Sequence, residues 1–529
     1  MTTDASLPFQ PPPPPDQSWP TYQVQPWAEP LRPAEPMVQP LPPPTVGRAL
    51  IATFAAGFLA QLLFAFQMLG VNFPIWIVAV LAAAWRFRPK TSKFDPLDAW
   101  LPVGAVIFAA FVALREDGML LAFDLSAACL LTLASVAAFG GHAITRGTWL
   151  RVIALGAKAI VVYFVGAVYL FPGIKPFAAL FAERRAERWD PVVRGLLLAL
   201  PLLVVFAALF AAADAVFATQ LRNVVNFDWI GPQAVVQTVV AAVAGWLFAG
   251  TLVCAWILHR PPGSAPATAP VRLGATEALT VLLLLDAMFA VFAALQTAYL
   301  FGGADTFAVS GMTYSDYARR GFFELIIAAF LAGAVIIVLD RLVAEHRNTQ
   351  RLAAAALAAM TGFVALSAFV RLGLYQAANG WTELRFYALA AIAFVGIGVL
   401  LTLASELTNR ARWLPQLLLG SGLLVAIVCN GVGTQAFVTE QNLQRAIDPS
   451  LVSPGGKTGL NVEYLWRLGA DSVPALVSAR DRLPADVQGA VDDVLRAHAR
   501  ELARDAGAGW QSWNLARQRA LDALVSAGY

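Results

Sequence analysis

The chain has 529 residues, 58% of them hydrophobic and only 13% charged, with a net charge of +3. Soluble domains run nearer ~45–50% apolar and ~25% charged, so this much apolar surface needs lipid as its solvent. The small net charge argues against nucleic acid as a partner. Cys129, Cys254, Cys429 and the four histidines are too scattered for a zinc or other metal centre. No cofactor motif is present.

Residues 1–44 hold 15 prolines. Proline fixes φ and removes an amide donor, which predicts a disordered, polyproline-II-like tail over 1–46 rather than helix or strand. A basic start followed by an apolar run is missing, so the tail is not read as a cleaved signal peptide.

Apolar runs then follow at Ala49–Leu69, Val71–Trp85, Ala99–Leu114, Met119–Phe139, Val152–Phe171, Val192–Ala213, Ala234–Leu258, Thr276–Tyr299, Phe322–Leu342, Leu352–Leu374, Leu384–Ala404 and Leu417–Val438. A helix needs ~20 apolar residues to cross a bilayer, and these runs are too long and too uniform for barrel strands. The expected fold is all-α: a transmembrane bundle of about twelve helices over 47–438, followed by a small helical extramembrane region over 439–529. Val71–Trp85 is short and Val152–Phe171 carries Lys158, so the count can slip by one.

Lys175 to Arg188, Arg260 with Arg272, Arg341 to Arg351, and Arg410 with Arg412 fall in alternate loops, which predicts one cytoplasmic face and an external C-terminal region in the cell membrane. Arg86, Arg88, Lys90 and Lys93 vote for the opposite face if all twelve runs cross. Incomplete crossing by Val152–Phe171 reconciles them and places the tail in the cytoplasm; the other explanation is an exceptional early loop. Beyond the last run, Asp486–Ala503 reads as an amphipathic helix, with Val487, Val491, Val494, Leu495 and Leu502 on one face.

Thr313 and Asp316 resemble a helix start near Tyr314. A helix from there to Leu342 would measure ~43 Å, enough to cross and project. Tyr317, Arg320 and Glu324 share one face, and Arg319 and Arg320 oppose the macrodipole at that end. Such arginines either meet an anionic partner or snorkel as an interfacial collar with Tyr314. A second cluster joins two runs through a tight loop: Arg371, Tyr375, Trp381, Glu383, Arg385 and Tyr387. Here Trp381 and Arg385 are spaced for a cation–π contact, and Arg371 is expected to pair with Glu324, Glu383 or another acid. Asp286 sits mid-run, where a charge costs ~3 kcal/mol or more, so it should face the bundle, with Lys158 as a candidate partner. Asp124, Asp214 and Asn430 lie nearer run ends.

YLFGG at 299–303, TYSDYARRGFFEL at 313–325, RLGLYQAANGWTELRFY at 371–387 and AADAVF at 212–217 resemble bacterial polytopic proteins grouped as a domain of unknown function, labelled 4153 or 4173. NLQR at 442–445, YLWRLGADSVPAL at 464–476 and WNLARQRAL at 513–521 look like the same group. The resemblance spans roughly the second half to two thirds of the chain and implies a multi-pass membrane protein without a known activity. Membrane lipids are its expected partners, with a small-molecule or lipid ligand. Three functions stay open: a transporter-like or lipid- and solute-handling protein, which leads; a sensor or scaffold with an external C-terminal region; and a membrane-embedded transferase, for which Glu116, Asp117 and Glu383 are the available acids.

Overall fold

The computed structural model describes residues 43–147, 149–165, 170, 232–258, 275–301, 322–342, 348–408, 413–452, 456–457, 459–505, 507 and 509–529. Residues 1–42 of the proline-rich tail and the expected run Val192–Ala213 lie outside them; the last four positions of the expected tail, 43–46, open a helix instead, where a proline in the first turn costs no hydrogen bond. Among the described residues the regular elements are helices: α1 Pro43–Phe64, α2 Asn72–Phe87, α3 Trp100–Val112, α4 Gly118–Phe139, α5 Trp149–Val165 and α6 Pro232–Ile257. Next come α7 Ala275–Phe301, α8 Phe322–Leu342, α9 Asn348–Asn379, α10 Glu383–Thr408 and α11 Leu414–Val432. The last five are α12 Thr434–Ile447, α13 Val462–Leu465, α14 Val473–Ala479, α15 Ala485–Asp505 and α16 Leu515–Ser526.

Six of these are long and apolar enough to cross a membrane: Val46–Phe64, Gly118–Phe139, Val236–Trp256, Asn348–Asn379, Glu383–Ser405 and Leu414–Val432. Asn72–Phe87, Pro96–Val112, Val152–Phe164, Ala278–Ala294 and Ile326–Asp340 are apolar but shorter. The described residues are those of an all-helical membrane protein; six helices of crossing length stand among them, five further apolar helices are shorter, and the expected run Val192–Ala213 lies outside, so the expected count of about twelve is not reached there. The last run does not continue to Val438. It breaks at Gly433, whose φ of +75° no side chain adopts cheaply. A Cβ there would also meet the Arg115 guanidinium. Helix α12 departs from that break.

Among the described residues the bundle helices pack around two large apolar cores, with smaller clusters beside them. The first is built from Phe73, Leu81, Leu101, Phe108, Leu131 and Phe139 of α2 to α4, joined by Ala159 of α5, Cys254 of α6 and Ala426 of α11. The second takes Leu282 and Phe289 of α7, Ile336 of α8, Leu357 and Val364 of α9, and Ile392 of α10. Small residues let backbones close up, as lipid-embedded packing requires. On α1, a Cβ at Gly57 would stand 2.8 Å from the Ala241 carbonyl oxygen of α6.

The two ends of the bundle differ. At one end lie the last turn of α2 and the loop that follows it, with Arg86, Arg88, Lys90 and Lys93. There Trp256 Nε1 donates to Phe87 O (2.7 Å) and Gln416 Nε2 to Gly147 O (3.0 Å), so the start of α11 shares this end. Buried Asp98 accepts from the amides of Ile144 (3.0 Å) and Thr145 (2.7 Å) and ties the α4–α5 connection down. The early basic loop is therefore no exception: it lies with the end of α6 and the start of α11.

The C-terminal region covers the other end. Its core of Leu465, Val473, Leu476, Val491, Val494, Leu495, Leu502 and Leu524 confirms the apolar face expected of α15. It is stitched to the bundle mostly through helix-end carbonyls, groups that lack an intrahelical donor. Asn514 Nδ2 donates to Val112 O and Arg115 O, both at 3.1 Å, beyond the end of α3. Arg445 donates to the carbonyls of Gln376 (3.3 Å) and Ala377 (2.8 Å) in the last turn of α9, and Lys457 N to Ala378 O (2.9 Å). Gln511 reaches Leu62 O of α1 at 3.2 Å, and Val71 N donates to Trp513 O at 2.9 Å.

Candidate functional site

Beneath this cover, the ends of α4, α10, α11 and α12 meet. Asp117 precedes the apolar run of α4 and caps it: Oδ1 accepts from Met119 N (2.9 Å) and Leu120 N (3.0 Å). Its other oxygen, Oδ2, is buried without a hydrogen-bond partner, on a residue only 1% exposed. Asp117 lies beside Glu383 and Tyr387. Glu383 opens α10 and accepts from Gln435 Nε2 (2.9 Å), and its amide donates to the Tyr464 hydroxyl (2.8 Å). Two turns deeper along α4, Asn430 of α11 donates to Asp124 at 3.0 Å, both residues fully buried. The remaining oxygens there, Asp124 Oδ2 and Asn430 Oδ1, have no hydrogen-bond partner among the described residues, and the hydroxyls of Tyr387 and Thr434 lie beside one another.

Three carboxyls thus converge with two tyrosines. None of the three is hydrogen-bonded or ion-paired to a lysine or arginine among the described residues. The cations near this end are engaged elsewhere. Arg115 holds Asp471 (3.2 Å) and caps α11 by donating to Asn430 O (2.8 Å), a favourable place for a cation. Arg517 pairs with Glu116 at 3.3 Å and donates to Ser512 O. Burial raises the Glu116 carboxyl even beside Arg517, and burial pushes the Tyr464 phenol up to about 12.

An apolar groove of about 470 Å³ runs along α4, α10 and α11 up to this cluster, lined by Phe123, Tyr387, Phe394, Leu418, Leu423 and Cys429 among others. Tyr387 belongs to both: its ring lines the groove and its hydroxyl lies beside the acids.

Of the residues singled out from sequence, Tyr314, Tyr317, Arg319 and Arg320 lie outside the described residues. Glu324 falls in the first turn of α8, with its side chain outside the described set. Arg371 is buried on α9. Glu383 is answered by Gln435 and Tyr464 rather than by Arg371. Gly380, at φ +76°, makes the expected tight loop, and Asn442 fixes it by pairing with both Trp381 N (2.8 Å) and Trp381 O (2.9 Å). The anticipated cation–π partner changes. Arg385 folds back over the ring of Tyr375 at 4.2 Å and donates to the carbonyls of Asn379 and Gly380, while Trp381 stands edge-on to Phe437 at 4.9 Å. Asp286 sits midway along α7, in the second core's helices and away from the acid cluster; its Oδ1 is buried without a hydrogen-bond partner. Lys158 lies on α5 against α6 rather than beside it.

Sequence reasoning placed Tyr387 in the second polar cluster, passed over Thr434, and ranked Asp124 and Asn430 as weak because they lie near run ends. That position is what brings them together. Asp117 carried a local signal, an Asp immediately before an apolar helix, which is an N-cap pattern.

A family model described as "Domain of unknown function (DUF4153)" matches residues 103–479. The chain belongs to this family. The DUF4153 region runs from within α3 to the end of α14, so it contains all three acids, Asn442, Arg445 and Asp471. It reaches further towards the N-terminus than the resemblance implied and stops short of the 513–521 motif. No curated protein and no solved structure matches the chain.

Proposed function

We propose that this DUF4153 protein is a multi-pass membrane protein that binds and handles an amphiphile, transporter-like, at the junction of α4, α10, α11 and α12. The observation that carries this is the buried acid cluster at the head of an apolar groove. Groove and cluster together match one apolar chain and one polar head. Three carboxyls without a cation favour a head that is cationic or rich in hydrogen-bond donors, because a buried carboxylate is expensive unless it is paired. Arg86, Arg88, Lys90, Lys93 and Arg351 gather at the far end and support a cytoplasmic assignment for it. The site then opens at the outer leaflet of the cell membrane, under an external C-terminal region, with the proline-rich tail inside.

The test is native mass spectrometry and lipid analysis of purified wild type against Asp117→Asn and Glu383→Gln, which keep shape and remove charge. Co-purified amine-bearing lipid should fall at least tenfold while the melting temperature holds or rises. An identical lipid complement in all three proteins would defeat the proposal.

Asp117 beside Glu383 also supports a second reading, a membrane-embedded transferase, since two acids of unequal environment suit general acid–base chemistry. Turnover of a lipid-linked substrate by wild type, lost in Asp117→Asn with ligand binding retained, separates the two.

A further inference from the structure

The opposite end of the bundle holds a pocket of different character. Arg48, Ile51 and Ala52 of α1, Arg86 to Thr91 at the end of α2, and Trp256 of α6 line about 670 Å³. Its four cations are Arg48, Arg86, Arg88 and Lys90. None of them is ion-paired to a carboxylate among the described residues. Arg88 lies 3.4 Å over the Trp85 ring, with its Nη1 buried and without a hydrogen-bond partner. Trp256 is held in place through its hydrogen bond to Phe87 O at 2.7 Å.

Four like charges around one cavity repel one another, and a guanidinium with a spare buried N–H is a ready donor to phosphate oxygens. The wall opposite the charges is apolar. From Ile51 a stripe of exposed side chains, Phe54, Phe58 and Leu62, descends one face of α1 at helical spacing. An inorganic anion has no use for that stripe, whereas an acyl chain does. We infer that this pocket binds an anionic phospholipid, its phosphate among Arg48, Arg86, Arg88 and Lys90 and a chain along α1. Basic pockets between membrane helices at a cytoplasmic face recognise anionic head groups by this chemistry.

The full-length protein in mixed phosphatidylglycerol–phosphatidylcholine nanodiscs is the object to measure, with retained lipid read by native mass spectrometry. Wild type should keep phosphatidylglycerol over phosphatidylcholine. Lys90→Gln should weaken that preference about fivefold, the worth of one cation near a membrane surface. The quadruple change R48Q/R86Q/R88Q/K90Q should abolish it. Lys90 is exposed, so its variant keeps the test valid if the quadruple one fails to fold. Equal retention of both lipids by wild type, or an unchanged preference in Lys90→Gln, overturns the inference. Displacement of the lipid by millimolar inorganic phosphate would make the site a free-anion site and also overturn it. So would a carbodiimide cross-link from Lys90 to Asp4, Asp16, Glu29 or Glu35, which would make the chain's own tail the occupant.

Discussion

The two ends of the helical bundle solve the same problem in opposite ways. Helices that stop at a membrane surface leave carbonyls without donors and charges without partners. At one end the chain supplies the answers itself. Asn514, Arg445 and Arg115 donate to the last carbonyls of α3, α9 and α11, Arg115 pairs with Asp471, and Arg517 pairs with Glu116. At the other end Arg48, Arg86, Arg88 and Lys90 are left to the surroundings. The difference teaches where to look for ligands. Charged groups left over at the covered end are buried acids, and those at the bare end are bases that line an open pocket.

If that contrast is right, single substitutions should be costly at the covered end and nearly silent at the bare one. The largest effect is expected from Asn514→Ala. Its side chain donates to Val112 O and Arg115 O and accepts from Ala516 N and Arg517 N. Losing that set and stranding buried carbonyls should cost about 3 kcal/mol, read by thermal or denaturant unfolding in detergent. Next comes the Arg115–Asp471 pair. Either alanine variant should lose ~2 kcal/mol, and a double-mutant cycle should return a coupling of about 1 kcal/mol or more. By contrast, Arg86→Gln and Lys90→Gln should stay within ~0.5 kcal/mol of wild type. A bare-end variant that destabilised as much as Asn514→Ala would erase the distinction.

A modest effect within the C-terminal cover sharpens the covered end internally. Asp492 accepts from Arg480 (2.7 Å) and from the Tyr529 hydroxyl (2.5 Å), which hold its carboxyl well below the usual carboxylate range. A carboxyl depressed in the folded state adds stability above its unfolded value of about 4, and that stability drains away as pH falls below it. Tyr529→Phe should remove at most about 1 kcal/mol at pH 7. It should also flatten the loss in melting temperature between pH 5 and pH 3.

Much of this was legible in the residues. Apolar runs gave most helices to within a few residues, and the alternation in α15 gave its buried face, because both follow from local spacing. The tight loop at Gly380 and Trp381 was readable for the same reason. The break at Gly433 was not: a glycine inside an apolar run carries no mark that its φ will be positive, and the reason lies in Arg115, over three hundred residues earlier. The acid cluster was illegible as a cluster. Asp117, Glu383 and Asn430 come from three distant runs, and only the meeting of helix ends puts them side by side. The motifs that carried the family resemblance nevertheless find a physical role here. Asn442 and Arg445 of NLQR, Tyr464 and Asp471 of the following motif, and Asn514 and Arg517 of the last one are the residues that fasten the cover down.

One of those fastenings has a consequence in time. Asn514 and the Val112 carbonyl it serves are 402 residues apart. At 5–20 residues per second a ribosome needs roughly 20–80 s to cover that distance. For that interval the end of α3 stands unsealed, and every nascent chain cut short before Asn514 keeps it so. Membrane proteases that sample loose helix termini would therefore be able to tell a finished copy from an interrupted one.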